Sequence, residues 1–198
     1  RSISGAVEVL KGSKFDVVID FSAYPSSWVK EAGEVLKGNI GRYLFISSGA
    51  VYKKSNYFPI QEHFERAPNE LFFTYSDEKI KGENFILEFS NNGYFETVSC
   101  RLPYVMGIDN YEDREGFVLS RIMHNRPVLV PDSGESVKSF IYAGDVAKAL
   151  LALTRAGSHV DGEAFNIAIP EEITGMGFVR ICSEVVGKEA KVHFVDPN

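Results

Sequence analysis

A run of seven residues, FDVVIDF from Phe15 to Phe21, leaves this chain few options. It is apolar almost throughout, rich in β-branched residues and flanked by turn formers, the pattern of a strand covered on both faces. Strands of that kind belong to parallel sheets, which need crossover helices. Pro25-Ser26-Ser27 opens such a helix, with Trp28, Val29, Ala32, Val35 and Leu36 spaced as a buried stripe and Gly38 closing it. RYLFIS, Arg42 to Ser47, supplies the next strand. The order β-α-β with a right-handed crossover brings the strand ends to one edge, where ligands bind in sheets of this type.

The remaining pattern extends this alternation. Lys53 to Thr74 is polar, aromatic and irregular, and loops of that length are usually functional or disordered. A helix is expected from Tyr75 to about Ser90, with Ile80, Phe85, Ile86, Leu87 and Phe89 as its apolar side. A strand follows from Phe95 to Leu102, then a break at Pro103 and Gly107, a solvated acidic loop and a helix from Gly116 to His124. Short strands are expected at Val128–Val130, Ser139–Tyr142, Ala164–Ala168 and Val192–Val195, with helices at Asp145–Thr154 and Thr174–Val186. The fold class is α/β, a partial Rossmann-like doubly wound parallel sheet with a small C-terminal substrate-binding lobe. Residues 1–102 form a partial dinucleotide-binding core, and residues 103–198 interleave the substrate lobe with the remaining core elements.

Composition narrows the partners. With 27 acidic against 21 basic residues, a net charge of −6 argues against nucleic acid as the main partner and makes a small molecule the expected one. Two scattered cysteines and four histidines without ligand spacing predict no disulfide framework, no metal and a reducing, cytoplasmic compartment. No apolar run approaches the roughly 20 residues of a membrane span.

The candidate chemistry lies in YSDEK, Tyr75 to Lys79. On a helix, residues four apart share a face, so a phenol stands beside an ammonium. Alone the pattern is weak, since nine tyrosines and twelve lysines in 198 residues give about half a match by chance. Ser48, at the carboxyl end of the RYLFIS strand, can converge with Tyr75 on one substrate oxygen. A phenol of pKa about 10 needs about 4 kcal/mol to be half ionised at pH 7. A unit charge at 4 Å supplies between about 1 and about 4 kcal/mol, depending on the wetness of the site.

Five ordered segments resemble the extended short-chain dehydrogenase/reductase family, in its NAD-dependent epimerase/dehydratase branch: FDVVIDFSAY, RYLFISSGAVY, YSDEK, RLPYVMG and KSFIYAGDVAKAL. The resemblance covers nearly the whole chain. It implies an NAD(P)-dependent enzyme acting on a nucleotide sugar, with NAD or NADP as cofactor. Tyr75 would be the general acid or base, Lys79 would bind the nicotinamide ribose and lower the tyrosine pKa, and Ser48 would bond the reacting oxygen. Phe21, Ser22, Ala23 and Pro103 would join Tyr75 and Lys79 in holding the cofactor; Tyr104 and Lys138 would join Ser48 at the substrate. A homodimer through two helices per subunit, one of them starting at Tyr75, is also implied.

Departures from the family pattern sharpen these expectations. Lys138 stands where relatives often carry an arginine and lacks its bidentate fork. Lys53 replaces a frequent glycine, and Ser48-Gly49-Ala50 is not the Thr-Asp-Glu of sugar 4,6-dehydratases, which argues against that dehydration. No glycine-rich turn follows a strand, so either two strand–helix units, roughly 60 residues, are expected ahead of Arg1, or the fold lacks those units. The chain by itself is then expected to be inactive. The alternatives are a carbonyl or sugar reductase using the same Ser, Tyr and Lys, and a family member that acts as a binding, scaffold or RNA-binding protein.

Overall fold

The structure, a computed structural model, describes residues 3–22, 24–110 and 112–196. In chain order its first elements are α1 (Ile3–Leu10), β1 (Phe15–Asp20), α2 (Ser26–Leu36), β2 (Ile40–Ser48), α3 (Phe73–Asn91) and β3 (Glu96–Leu102). Then come β4 (Tyr104–Met106), α4 (Arg114–Met123), β5 (Val128–Pro131), β6 (Val137–Lys138) and β7 (Phe140–Tyr142). The last are α5 (Ala143–Arg155), β8 (Glu163–Asn166), β9 (Ile173–Thr174), α6 (Gly175–Val186) and β10 (Val192–Val195). The chain divides into two units: the described residues up to Pro103 with Val146–Ile167, and Tyr104–Asp145 with the described residues from Ala168 on.

The first unit is built on a four-stranded sheet in the order β1-β2-β3-β8, parallel throughout. This is the expected α/β architecture. Pairing runs Asp20↔Phe45 between β1 and β2 and Ser48↔Leu102 between β2 and β3, so the carboxyl ends of these strands share one edge. Val29 and Leu36 of α2, Ile86 and Phe89 of α3, and Tyr43 and Phe45 of β2 form one buried cluster. Burying an aliphatic or aromatic side chain of this size contributes about 1.5–3 kcal/mol.

Three expectations are corrected. FDVVIDF is a strand but is not covered on both faces: Phe15 is 43% exposed and Phe21, one residue past β1, 66%; β1 is also an edge strand among the described residues. The break expected from Pro103 to Gly107 holds a strand, β4, which pairs in parallel with β7, the strand expected at Ser139–Tyr142 and found at Phe140–Tyr142; β6, just before it, pairs antiparallel with β9. The third concerns the side of α3 that faces the core. Its buried residues are Ser76, Lys79, Gly82, Glu83, Ile86 and Phe89, whereas Leu87 points outward at 37% exposure. Polar groups therefore occupy half of a core-facing stripe, which is tolerable only where each finds partners.

In the second unit β5 and β10 pair in parallel, and α4 and α6 close over them through Ile122, Val128, Val130, Val179 and Cys182. Thr174 caps α6 by accepting the Gly177 amide at 2.9 Å, and Gly187 ends it in the left-handed region at φ 69°. Among the described residues no helix is long and apolar enough to cross a membrane.

Candidate active site

At the carboxyl edge of the first unit, β2 ends at Ser48, whose Oγ accepts the Ala50 amide at 3.2 Å and caps the short turn Gly49–Val51. The chain wanders through residues 53–72 and re-enters as α3, with Tyr75 in its first turn. Tyr75 is 38% exposed, and its ring lies 5.7 Å from that of Tyr24. One turn further in, Lys79 is only 6% exposed. Its Nζ donates to the Ile46 carbonyl at 2.8 Å, two residues before Ser48, and lies 5.0 Å from the Phe45 ring and 5.8 Å from the Tyr75 ring. The helix can bring Lys79 this close because residue 82 is glycine: a Cβ there would come within 2.6 Å of the Phe45 ring.

Burial dominates the electrostatics of Lys79 and pushes its ammonium down from 10.5 to about 8, with Asp20 and Glu83 pulling it back up. Asp20 ends β1; its Oδ1 accepts the Ser22 amide at 2.9 Å and hydroxyl at 3.1 Å, and its Oδ2 accepts the Tyr43 hydroxyl. Burial, followed by the charge of Asp20, raises the Tyr43 phenol well above its usual value. Burial alone would raise the Glu83 carboxyl, but Arg101, Ser47 and Arg66 hold it below the ordinary carboxylate range.

Ser48, Tyr75 and Lys79 thus belong to the same edge of the first unit, with Phe21 and Ser22 at the end of β1 and Pro103 at the end of the unit. Ala23 lies outside the described residues. Tyr104 and Lys138 belong to the second unit. The Tyr104 ring lies 6.0 Å from Phe140 with the Arg114 guanidinium 5.0 Å from it, and Lys138 ends β6 as an exposed residue. Among the described residues no cluster of three or more His, Cys, Asp or Glu could hold a metal ion.

Sequence reasoning missed Asp20 and Glu83. The signal for Glu83 was present, since it follows Tyr75 and Lys79 at the same four-residue interval on α3. Asp20 sat inside an apolar run, where a lone carboxylate looks incidental.

The family model for NAD-dependent epimerases and dehydratases matches residues 27–168. The chain belongs to this family. Over 178 residues it is 27% identical to the chloroplast stem-loop binding protein of 41 kDa b from Arabidopsis thaliana, covering 90% of this chain and 44% of that protein. The human dTDP-D-glucose 4,6-dehydratase is 26% identical over 76% of this chain and 41% of its own length. The chain therefore spans less than half of these family relatives. Among solved structures, UDP-glucuronic acid 4-epimerase from Bacillus cereus, in complex with UDP-glucuronic acid and NAD, superposes with a TM-score of 0.81 at 18% identity. That match covers 99% of this chain and 66% of the epimerase, and at this identity it establishes the shared fold.

Proposed function

We propose that this chain carries the proton-transfer part of an NAD(P)-dependent site that remodels a nucleotide sugar by epimerase/dehydratase-type chemistry. The observation that carries the reading is Lys79, a buried ammonium pinned on the Ile46 carbonyl, one turn from Tyr75 and beside the strand that ends in Ser48. In this reading Tyr75 Oη takes the proton from a sugar hydroxyl as its carbon is oxidised and returns it on reduction. Lys79 places positive charge 5.8 Å from the Tyr75 ring. Ser48 Oγ donates to the reacting oxygen and holds it against Tyr75. Ser48-Gly49-Ala50 brings no carboxylate to this position, which favours epimerisation or reduction over 4,6-dehydration.

The residues present fit part of a dinucleotide. Phe21 offers exposed apolar surface at the end of β1 and Lys79 an ammonium at the same edge, while Ser22 is already engaged by Asp20. Phe21, Ser22 and Lys79 would hold the cofactor there, with Pro103 beside them, and the bound nicotinamide would supply the hydride acceptor. Tyr104 and Lys138 are proposed as substrate contacts.

The test is Tyr75→Phe in the protein that carries this chain, assayed with UDP- and dTDP-sugars. The expected result is a loss of turnover of at least about 100-fold with cofactor binding retained; unchanged turnover sinks the assignment. A second reading, a non-catalytic binding protein, is favoured by the match to a stem-loop binding protein over 90% of this chain. It predicts no turnover in the wild type and RNA stem-loop binding that survives Tyr75→Phe.

A further inference from the structure

Tyr75, Lys79 and Glu83 recur every fourth residue on α3, and Glu83 is the most buried of the three at 3% exposure. Its two oxygens take four hydrogen bonds. Oε1 accepts Ser47 Oγ at 2.6 Å and Arg101 Nε at 2.9 Å; Oε2 accepts Arg101 Nη2 and Arg66 Nη1, each at 2.7 Å. One carboxylate thus ties α3 to β2 at the residue before Ser48, to β3, and to the loop between β2 and α3. Arg101 continues inward, donating to the Tyr52 hydroxyl at 2.7 Å and to the Glu62 carbonyl at 2.9 Å.

A buried, bidentate ion pair of this kind is weak evidence for stability, because desolvation offsets most of its attraction. Its directional bonds do fix geometry. The hydrophobic contribution of the α3 contacts is non-directional, whereas these bonds have direction, and a slide would break them and move Tyr75 and Lys79 relative to Ser48. A misplacement of about 1 Å can cost about 100-fold in rate.

We propose that the Glu83–Arg101 pair is the positioning device of the site, setting the register of α3 over β2 so that Tyr75 and Lys79 stand against Ser48. This rests on the reading of Tyr75, Lys79 and Ser48 given above. The pair has an electrostatic consequence as well. Among the described residues, the charged and titratable groups that face Lys79 include Asp20 from β1, Tyr43 from β2 through Asp20, and Tyr75 and Glu83 from α3; Arg101 and Arg66 act on it through Glu83. Neutralising Glu83 removes one of the two carboxylates that support the Lys79 charge and leaves both arginines uncompensated, so Lys79 must lose its proton at lower pH.

The experiment compares Glu83→Gln and Glu83→Asp with wild type by steady-state kinetics and by NMR titration of the Lys79 side chain. Glu83→Gln is expected to lower kcat by about 10- to 100-fold with little change in KM. It should also move the Lys79 midpoint down by roughly one unit. Glu83→Asp keeps the charge but loses the reach, so the midpoint stays near about 8 while kcat stays low. A purely structural glutamate would not separate these two readouts. Should Glu83→Gln fail to fold, Ser47→Ala cuts the tie to β2 alone, and a fall in kcat of about threefold or more is expected. A folded Glu83→Gln with wild-type kcat and Lys79 midpoint, or a folded Ser47→Ala with wild-type kcat, overturns the inference while a dead Tyr75→Phe leaves the site reading intact. If Tyr75→Phe keeps full turnover, the site reading fails, and the Lys79 titration still reports whether Glu83 controls that charge.

Discussion

Replacing Lys79 by methionine tests whether this ammonium is held charged in the core at a cost. Its folded value of about 8 against an ordinary 10.5 corresponds to about 3 kcal/mol at 1.36 kcal/mol per unit. Below pH 8 both the folded and the unfolded chain carry the proton, and the full cost of burying it is present. Between pH 8 and 10.5 the unfolded chain holds more protons than the folded one, so wild-type stability rises with pH; above 10.5 the cost is gone. The thioether of the Lys79→Met variant carries no such charge, yet it gives up the bond to the Ile46 carbonyl, a charged hydrogen bond contributing about 1.5–3 kcal/mol. The two effects nearly cancel at neutral pH. The slope of the difference is therefore the informative quantity. Urea unfolding of wild type and Lys79→Met at intervals from pH 6 to 10.5 should show wild type gaining about 3 kcal/mol on the variant across the upper part of that range. Other titrating groups are common to both proteins and drop out of the difference. A pH-independent difference would refute the buried-charge account of Lys79.

Arg101→Met leaves the Glu83 carboxylate buried with only Ser47 and Arg66 as partners, and should destabilise the protein by about 3–5 kcal/mol in denaturant unfolding. Gly82→Ala drives a Cβ to 2.6 Å from the Phe45 ring, so a loss of about 1–3 kcal/mol is expected, read as a lower thermal midpoint. Thr97 Oγ1 is buried without a hydrogen-bond partner among the described residues, and Thr97→Val should stabilise the fold by about 1 kcal/mol in the same unfolding assay.

The sequence alone determined the alternation of strand and helix, the parallel sheet and the placing of Ser48 at a strand end with Tyr75 on the following helix. These are local properties: β-branched runs, the spacing of Val29, Ala32 and Leu36, and the turn formers between them. Tertiary structure decided what periodicity cannot carry. Whether FDVVIDF is covered on both faces depends on what packs against the sheet, and there Phe15 and Phe21 stay exposed. Which side of α3 enters the core depends on what waits there: Ile46 offers a carbonyl and Arg101 a guanidinium, so Lys79 and Glu83 go in while Leu87 stays out. Hydrophobic patterning assumes that the core is apolar, and at this edge the buried partners of α3 are polar.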